Sequence, residues 1–254
     1  MTHRRAQVPA ATRALRVLRL LATQPRPIPL ERVARELRLP RSSAYHLLNT
    51  MIAEGFVAHL EDDHTYGLGI AAFEVGSGYA RQAPLQRIAR RALAELVDDL
   101  GENAHLAVLH GRDVLYVLEE RAAGRPSLVS DVGVRLPSHL TATGRAILSV
   151  LPAAQVRALF PDRTAFVTRQ PSGPRTLGAL TSLLAATRQR GYAVEEGDVT
   201  PGLNSVASPV IDHTGHPAAA VGVTYEPHRH RDPAPLVARV ETTAATISRR
   251  LGGR

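Results

Sequence analysis

Apolar residues in the first sixty positions recur every three or four residues, which is the spacing of amphipathic helices. One stripe runs from Arg13 to a cluster of three prolines at 25–29, which cannot continue a helix. A second stripe spans 30–37, and a third helix opens at Arg41 after a break at 38–40. A turn of this length between two short helices predicts a helix-turn-helix.

The third helix separates an apolar face from a polar one. The inward positions are Ala44, Leu47, Leu48, Met51 and Ile52. The outward face carries polar side chains that can contact base edges or phosphates, and the predicted DNA-binding residues are Arg41, Ser42, Ser43, Tyr45, His46 and Asn49. Two short strands, 56–60 and 66–68, flank a polar turn and predict a hairpin. Helix-turn-helix and hairpin together predict a winged helix.

The distribution of charge also distinguishes the segment that contains the predicted helix-turn-helix. The first fifty residues contain ten arginines but only Glu31 and Glu36 as acids, whereas residues 51–254 contain 21 arginines and 21 acids. A basic surplus confined to one domain is typical of nucleic-acid binding, so we expect double-stranded DNA as a partner. Two alternatives remain open at this point. The basic surface could bind protein, and the exclusive use of arginine over lysine could reflect codon bias.

The rest of the chain mixes helices with hairpins. Helical patterns cover 68–82, 85–100, 143–151, 177–190 and 234–251, and hairpins pair 104–109 with 114–118 and 205–211 with 218–225. This mixture predicts an α+β domain built around an antiparallel sheet. A glycine pair in the first of these helices, Gly76 and Gly78, predicts a bend there.

Composition narrows the function classes. The chain has no cysteine, no signal-peptide pattern and no apolar run long enough for a membrane span, so we expect a cytoplasmic protein without membrane contact. No nucleophile motif or metal-ligand spacing is present, and we expect no catalytic residues, no metal and no cofactor. The histidines at 213, 216, 228 and 230 leave a zinc site as the alternative to a solvated loop.

Small residues at 141–144 stand where a loop enters a helix. The free amides of that first turn, at Ala142 and Thr143, can bind an anionic group such as a carboxylate. The alternative is that Thr141 or Thr143 is an ordinary N-cap.

Several ordered motifs resemble the IclR family of bacterial transcription regulators. They are RALRVLRLLA at 13–22, LERVARELRLPRSSAYHLLNTM at 30–51, YGLG at 66–69, PSHLTATGRAIL at 137–148, GYAVEEGD at 191–198 and GLNSVASPV at 202–210. The resemblance implies a winged helix-turn-helix over 1–67, a connecting helix over 68–82 and a GAF-like effector-binding and oligomerisation domain over 83–254. It also implies a homodimer or homotetramer and a small organic acid as effector. The family's ligand-lining positions fall on Leu128, Leu136, Ala142, Thr143, Glu195, Leu203, Ser205, Gly222 and Thr224.

This chain departs from the family pattern at three of those positions. Ser205 stands where some members have cysteine, Gly222 where many have serine, and Glu195 where aspartate is common. The ligand of a known member is therefore not transferred to this chain. The expected function is a ligand-responsive regulator that acts as a repressor on a near-palindromic operator and senses a small carboxylate-bearing metabolite. The alternatives are a ligand-independent DNA-binding protein and a small-molecule enzyme with a basic docking domain.

Overall fold

The computed structural model describes residues 8–82, 84–125, 128–170, 172–230 and 232–253, without the side chains of 77–82 and 84. The expectations for segment 1–7 lie outside the described residues. The chain divides into two compact units, Met1–Ala83 and Pro84–Arg254.

The smaller unit is a winged helix. Its elements are α1 (Pro9–Ala22), β1 (Ile28–Pro29), α2 (Leu30–Leu37), α3 (Arg41–Ala53), β2 (Val57–Leu60), β3 (Thr65–Leu68) and α4 (Ile70–Gln82). The strands form an antiparallel sheet in the order β1-β3-β2. Helix α1 begins four residues before the predicted Arg13, because a proline is tolerated in a helix's first turn.

The apolar faces of the three predicted helices pack into one core. Val17, Val33 and Leu48 are each fully buried, and Met51 and Val57 complete the contact between α3 and the wing. The third helix therefore has the orientation that its sequence predicts: Ala44, Leu48 and Met51 are buried, and Leu47 and Ile52 pack against the cluster while partly buried.

The larger unit is built on a six-stranded antiparallel sheet with the order β6-β5-β4-β9-β8-β7. The strands are β4 (Asn103–His110), β5 (Asp113–Glu120), β6 (Arg135–Pro137), β7 (Ala193–Glu196), β8 (Asn204–Ile211) and β9 (Pro217–Tyr225). Both predicted hairpins are present, and each is slightly longer than its sequence pattern indicates. The edge strands β6 and β7 were not predicted as strands, because three or four residues carry too little alternation.

Helices cover both faces of this sheet. On one face lie α5 (Pro84–Leu100) and α9 (Ala234–Arg250), which share an apolar cluster with alternate sheet residues. On the other face lie α6 (Ala142–Val150), α7 (Ala153–Leu159) and α8 (Leu177–Arg190), and a short 3-10 turn at Arg163–Ala165. The α+β prediction is confirmed. In the described part of the chain, no helix combines the length and apolarity needed to cross a membrane.

Candidate functional site

Helix α3 presents its predicted polar face to solvent. Arg41, Ser42, Ser43, Tyr45, His46 and Asn49 are all exposed. The turn before the helix is tight because Arg38 adopts a left-handed conformation, with φ of 52°, and its amide bonds to carbonyls of α2. Pro40 then precedes the first turn of α3. This face has the polarity and accessibility of a recognition helix.

A groove beside α3 adds residues that the sequence did not single out. It is lined by Glu31 from the start of α2 and by His59, His64 and Tyr66 from the wing, besides residues of α3. His59 stacks on Tyr66 with ring centroids 4.7 Å apart. These wing positions alternate along two short strands, but the sequence does not show that their side chains face the recognition helix.

Arg41 already has a partner in this groove. Its Nη2 lies 2.8 Å from Oε1 of Glu31, and both side chains are largely exposed. An exposed ion pair contributes at most about 1 kcal/mol, so a phosphate can replace the carboxylate at little cost. Glu31 thus holds the guanidinium at the helix N-terminus without preventing a contact with DNA.

In the larger unit, the start of α6 has a defined cap. Thr141 Oγ1 accepts a hydrogen bond of 3.0 Å from the amide of Gly144, so Thr141 is an N-cap, as the alternative interpretation held. The amides of Ala142 and Thr143 precede the first intrahelical hydrogen bond of α6. Glycine is required at 144, because a Cβ there would overlap the backbone of Ser138.

The start of α6 opens on a small cavity with a free volume of about 30 Å³. Seven of the nine predicted effector-binding residues line it: Leu128, Leu136, Ala142, Glu195, Leu203, Ser205 and Thr224. The lining also includes His105, Tyr116, Val129, Ser130, Thr141, Val199 and Thr200, which were not among the predicted positions. Ligand cavities typically measure about 300–1,000 Å³, so even a small metabolite requires the lining side chains to move apart.

The other two predicted residues, Thr143 and Gly222, do not line the cavity themselves. A Cβ on Gly222 would lie 2.5 Å from Nε2 of His105 and 2.9 Å from Cγ2 of Thr143. Thr143 Oγ1 lies 3.4 Å from the hydroxyl of Tyr116. Both residues therefore pack behind His105 and Tyr116, whose larger side chains reach the cavity in their place.

The lining of the cavity combines polar and apolar side chains and contains no arginine or lysine among the described residues. Ser205 Oγ and Thr224 Oγ1 are 2.9 Å apart across β8 and β9. Burial raises the pKa of the Glu195 carboxyl, which accepts a hydrogen bond of 3.1 Å from the amide of Val199. Burial lowers the pKa of His105 to about 4, so its imidazole is neutral at physiological pH.

A buried ion pair lies next to this site. Arg145 on α6 pairs with Asp198 and also donates to the carbonyls of His139 and Val194. Both charged side chains are almost completely buried. The pair therefore fixes the helix that carries Ala142 to the loop that follows β7.

The histidines considered for zinc are separated or engaged elsewhere. His230 Nε2 contacts the buried carboxylate of Glu102 at 3.0 Å, and His228 lies 3.6 Å from Glu226. Within the described ranges, no group of three or more potential ligands is arranged to hold a metal ion.

The sequence matches two family profiles that together cover most of its length. Residues 10–61 match the IclR helix-turn-helix domain, and residues 77–249 match the profile described as bacterial transcriptional regulator IclR C-terminal. The glycerol operon regulatory protein of Streptomyces coelicolor is 34% identical over 244 residues, which cover 94% of this chain and 95% of that protein. The acetate operon repressor of Salmonella typhimurium is 30% identical over 220 residues, which cover 86% and 80%.

The fold is also that of solved structures. The structure of an IclR homologue from Microbacterium hydrocarbonoxydans, complexed with 4-hydroxybenzoate, aligns with a TM-score of 0.81 at 22% identity, covering 95% of this chain and 98% of that one. The related proteins are transcriptional regulators rather than enzymes. With a helix-turn-helix domain followed by an effector-binding domain, this chain belongs to the IclR family of DNA-binding transcriptional regulators.

Proposed function

We propose that this regulator represses transcription from a near-palindromic operator and releases or rearranges on it when a small carboxylate-bearing metabolite binds the cavity at α6. The observation that carries the effector half is the cavity itself, where helix amides, hydroxyls and a buried carboxyl converge. The name of the Salmonella relative, a repressor, supports repression.

The proposed binding of DNA rests on the exposed face of α3. Arg41 and Ser42 lie in the first turn, where free amides and the positive end of the helix dipole favour a phosphate. Tyr45 and Asn49 lie further along the same face and can contact base edges. In a homodimer or homotetramer, two such helices would enter major grooves about one helical turn, or a multiple of it, apart.

Self-association has support on the surface of α4. Ile70, Phe73 and Val75 are large apolar residues that are more than 60% exposed in the single chain. Exposed apolar side chains of this density on one helix are typical of a contact with another protein surface. We propose that the contact is with a second copy of this chain, and sedimentation equilibrium measures the oligomeric state directly.

Arg41→Ala tests the DNA half. Loss of one phosphate contact should weaken binding to all DNA sequences and reduce the slope of log K against log salt concentration by about 0.9. Tyr45→Ala and Asn49→Ala should instead reduce the preference for operator over random DNA. Arg157→Ala removes an exposed arginine from the larger unit and is the matched control. An Arg41→Ala protein with the parent's affinity and salt slope would place Arg41 outside the interface.

In the proposed effector complex, the carboxylate of the effector binds to the backbone amides of Ala142 and Thr143. No cationic side chain lines the cavity in the part of the chain that the structure describes, so backbone amides and hydroxyls must bind the anion. The 4-hydroxybenzoate bound by the Microbacterium homologue supports a small organic acid as the effector.

Glu195 makes the binding of an acid pH-dependent. Its pKa is already raised by burial, and the charges of Arg145 and Asp198 act on it in opposite directions. An anion nearby should raise the pKa further, so we expect an acid to bind together with a proton on Glu195 and to bind more tightly as pH falls. Glu195→Gln should remove this dependence in calorimetric titrations between pH 6 and 8.

Ala142→Leu tests whether the effector binds at the start of α6. Ala142 is buried at the cavity wall, so a leucine there should fill the space before the amides and abolish binding of carboxylates found by thermal-shift screening. Operator binding should be unchanged. Ala238→Leu, at an exposed position of α9, is the control for the substitution itself. If Ala142→Leu binds a screened acid as tightly as the parent, the effector site lies elsewhere.

A further inference from the structure

His105 is a buried polar side chain for which the described residues provide no hydrogen-bond partner. It lies in the middle of β4 with 2% of its surface exposed, and it lines the effector cavity. Its Nδ1 has no solvent contact and no hydrogen bond, and within the described part of the chain no hydrogen bond to either ring nitrogen is found. Buried polar groups in folded proteins are nearly always paired, so an exception in a ligand cavity requires an explanation.

The neighbours of His105 provide it with space but not with hydrogen bonds. Tyr116 contacts the ring edge-on, with centroids 5.1 Å apart, and its hydroxyl is directed to Thr143. Gly222 is the cross-strand partner of His105 in β9. The imidazole thus occupies the volume that a side chain at 222 would fill.

Glycine at 222 is explained by the close approach of His105 and Thr143. Gly222 does not have a positive φ, so its backbone conformation is accessible to any residue. Glycine inside a strand lowers stability and marks a close approach. Here the approaching group is His105 Nε2, 2.5 Å from the place of a Cβ.

The neutral imidazole offers one N–H donor and one acceptor lone pair. A hydroxyl group has the same pair of functions, whereas a second carboxylate has acceptors only and would share the cavity with the Glu195 carboxyl. We propose that His105 is a specificity-determining residue that selects an effector carrying a hydroxyl group in addition to its carboxylate. This inference rests on the effector-sensing function proposed above.

Matched ligand pairs test the proposal on the full chain. The probes are 4-hydroxybenzoate with benzoate, lactate with propionate, and the uncharged pair 4-hydroxybenzamide with benzamide, each titrated calorimetrically. The parent protein should bind the hydroxylated member of at least one pair about tenfold more tightly, the contribution of one good hydrogen bond. His105→Phe keeps an aromatic ring and should remove this preference by weakening the hydroxylated probe while leaving its partner unchanged. His105→Gln, which retains a donor and an acceptor, should restore part of it.

The outcomes distinguish the proposed selection of a hydroxyl group by His105 from the proposed sensing of a carboxylate. If the acids bind but the hydroxylated and plain acids have equal affinity, or if His105→Phe keeps the parent's preference, His105 serves only in packing and the proposal is wrong. If the amides show the preference while no acid binds, His105 retains its role and the carboxylate proposal fails. Failure of every hydroxylated probe to bind the parent overturns the hydroxyl proposal.

A second variant covers the case in which His105→Phe does not fold. Gly222→Ala leaves the imidazole in the chain but displaces it from its present position. It should reduce the preference for the hydroxylated probe as His105→Phe does. A Gly222→Ala protein that binds hydroxylated and plain probes with the parent's affinities would contradict the assigned role of the ring.

Discussion

The contact between Gly222 and His105 allows a quantitative test of the cavity's construction. In Gly222→Ala the new methyl would lie 2.5 Å from Nε2, 3.1 Å from Cδ2 of His105 and 2.9 Å from Cγ2 of Thr143. All of these atoms belong to buried side chains, so the methyl cannot be accommodated without displacing them. Overpacking of this kind destabilises by about 1–3 kcal/mol.

The same substitution should cost less once the imidazole is absent. In His105→Ala both ring contacts are gone and only Cγ2 of Thr143, 2.9 Å from the methyl, must shift, while alanine is favoured over glycine inside a strand by about 0.5–1 kcal/mol. The two substitutions should therefore show a coupling energy of about 1–2 kcal/mol in a double-mutant cycle, above the roughly 0.5 kcal/mol that separates independent sites from interacting ones.

Urea unfolding followed by circular dichroism measures the four proteins of the cycle. The slopes of the transitions should agree, so that differences in midpoint report stability. Gly178→Ala is the matched control, because a Cβ at this position in α8 meets nothing within 4 Å. It should be neutral or stabilising. Additive effects of Gly222→Ala and His105→Ala, or a Gly222→Ala protein as stable as the parent, would refute the contact.

Three further predictions concern the larger unit. Arg145→Met leaves the carboxylate of Asp198 buried without its cation and should destabilise by about 3–5 kcal/mol in urea unfolding, whereas Asp198→Asn added to it should recover part of the loss. The pKa of His105 is about 4 in the folded protein and 6.5 in the free side chain, so between these pH values only the unfolded chain takes up the proton. The free energy of unfolding should therefore fall by about 3 kcal/mol as pH falls from 6.5 to 4. His105→Phe should make the free energy of unfolding less dependent on pH in this range. Residues 84–254 should unfold cooperatively on their own and retain the binding of screened acids, and a fragment without a cooperative transition would contradict the independence of this unit.

Elements with strong local signals could be predicted from the sequence. Helix α8 has the predicted bounds because both ends are marked: Thr176 caps its first turn, and Gly191 ends it with a left-handed φ of 87°. Helix α3 could be oriented because five apolar residues fall on one face. In both cases the determining interactions lie within a few residues along the chain.

Short elements could not be predicted, because their determinants are distant in sequence. Strand β1 contains only Ile28 and Pro29 and exists because Ile28 pairs with Tyr66. Strand β6 likewise depends on pairing with β5. Helix α7 has seven residues after Pro152, and no pattern of that length distinguishes a helix from a loop.

The cavity shows the same limit at the level of single residues. Resemblance to the family led to Gly222 and Thr143, but the lining residue at this place is His105, which reaches past both of them. This outcome depends on the register that sets His105 opposite Gly222. A small residue at one lining position can therefore mean that a larger neighbour has taken over its function.

Communication between effector and DNA can be tested without assuming a path. An effector changes operator occupancy only if its affinity differs between the DNA-bound and the free protein, and operator DNA must then change effector affinity by the same factor. For a coupling of about 1–3 kcal/mol, calorimetry with and without operator should give effector Kd values that differ by about 5- to 150-fold.

Gly76 is the position at which to perturb that coupling. It lies in α4, in sequence between the recognition helix and the larger unit, and a Cβ there meets nothing within 4 Å. Gly76→Ala should therefore stabilise the helix by about 1 kcal/mol without touching either site. If bending of α4 contributes to the response, this variant should change the ratio of the two Kd values while effector affinity without DNA stays at the parent's value. An unchanged ratio would exclude the bending of α4 at Gly76 as the element that links the two events.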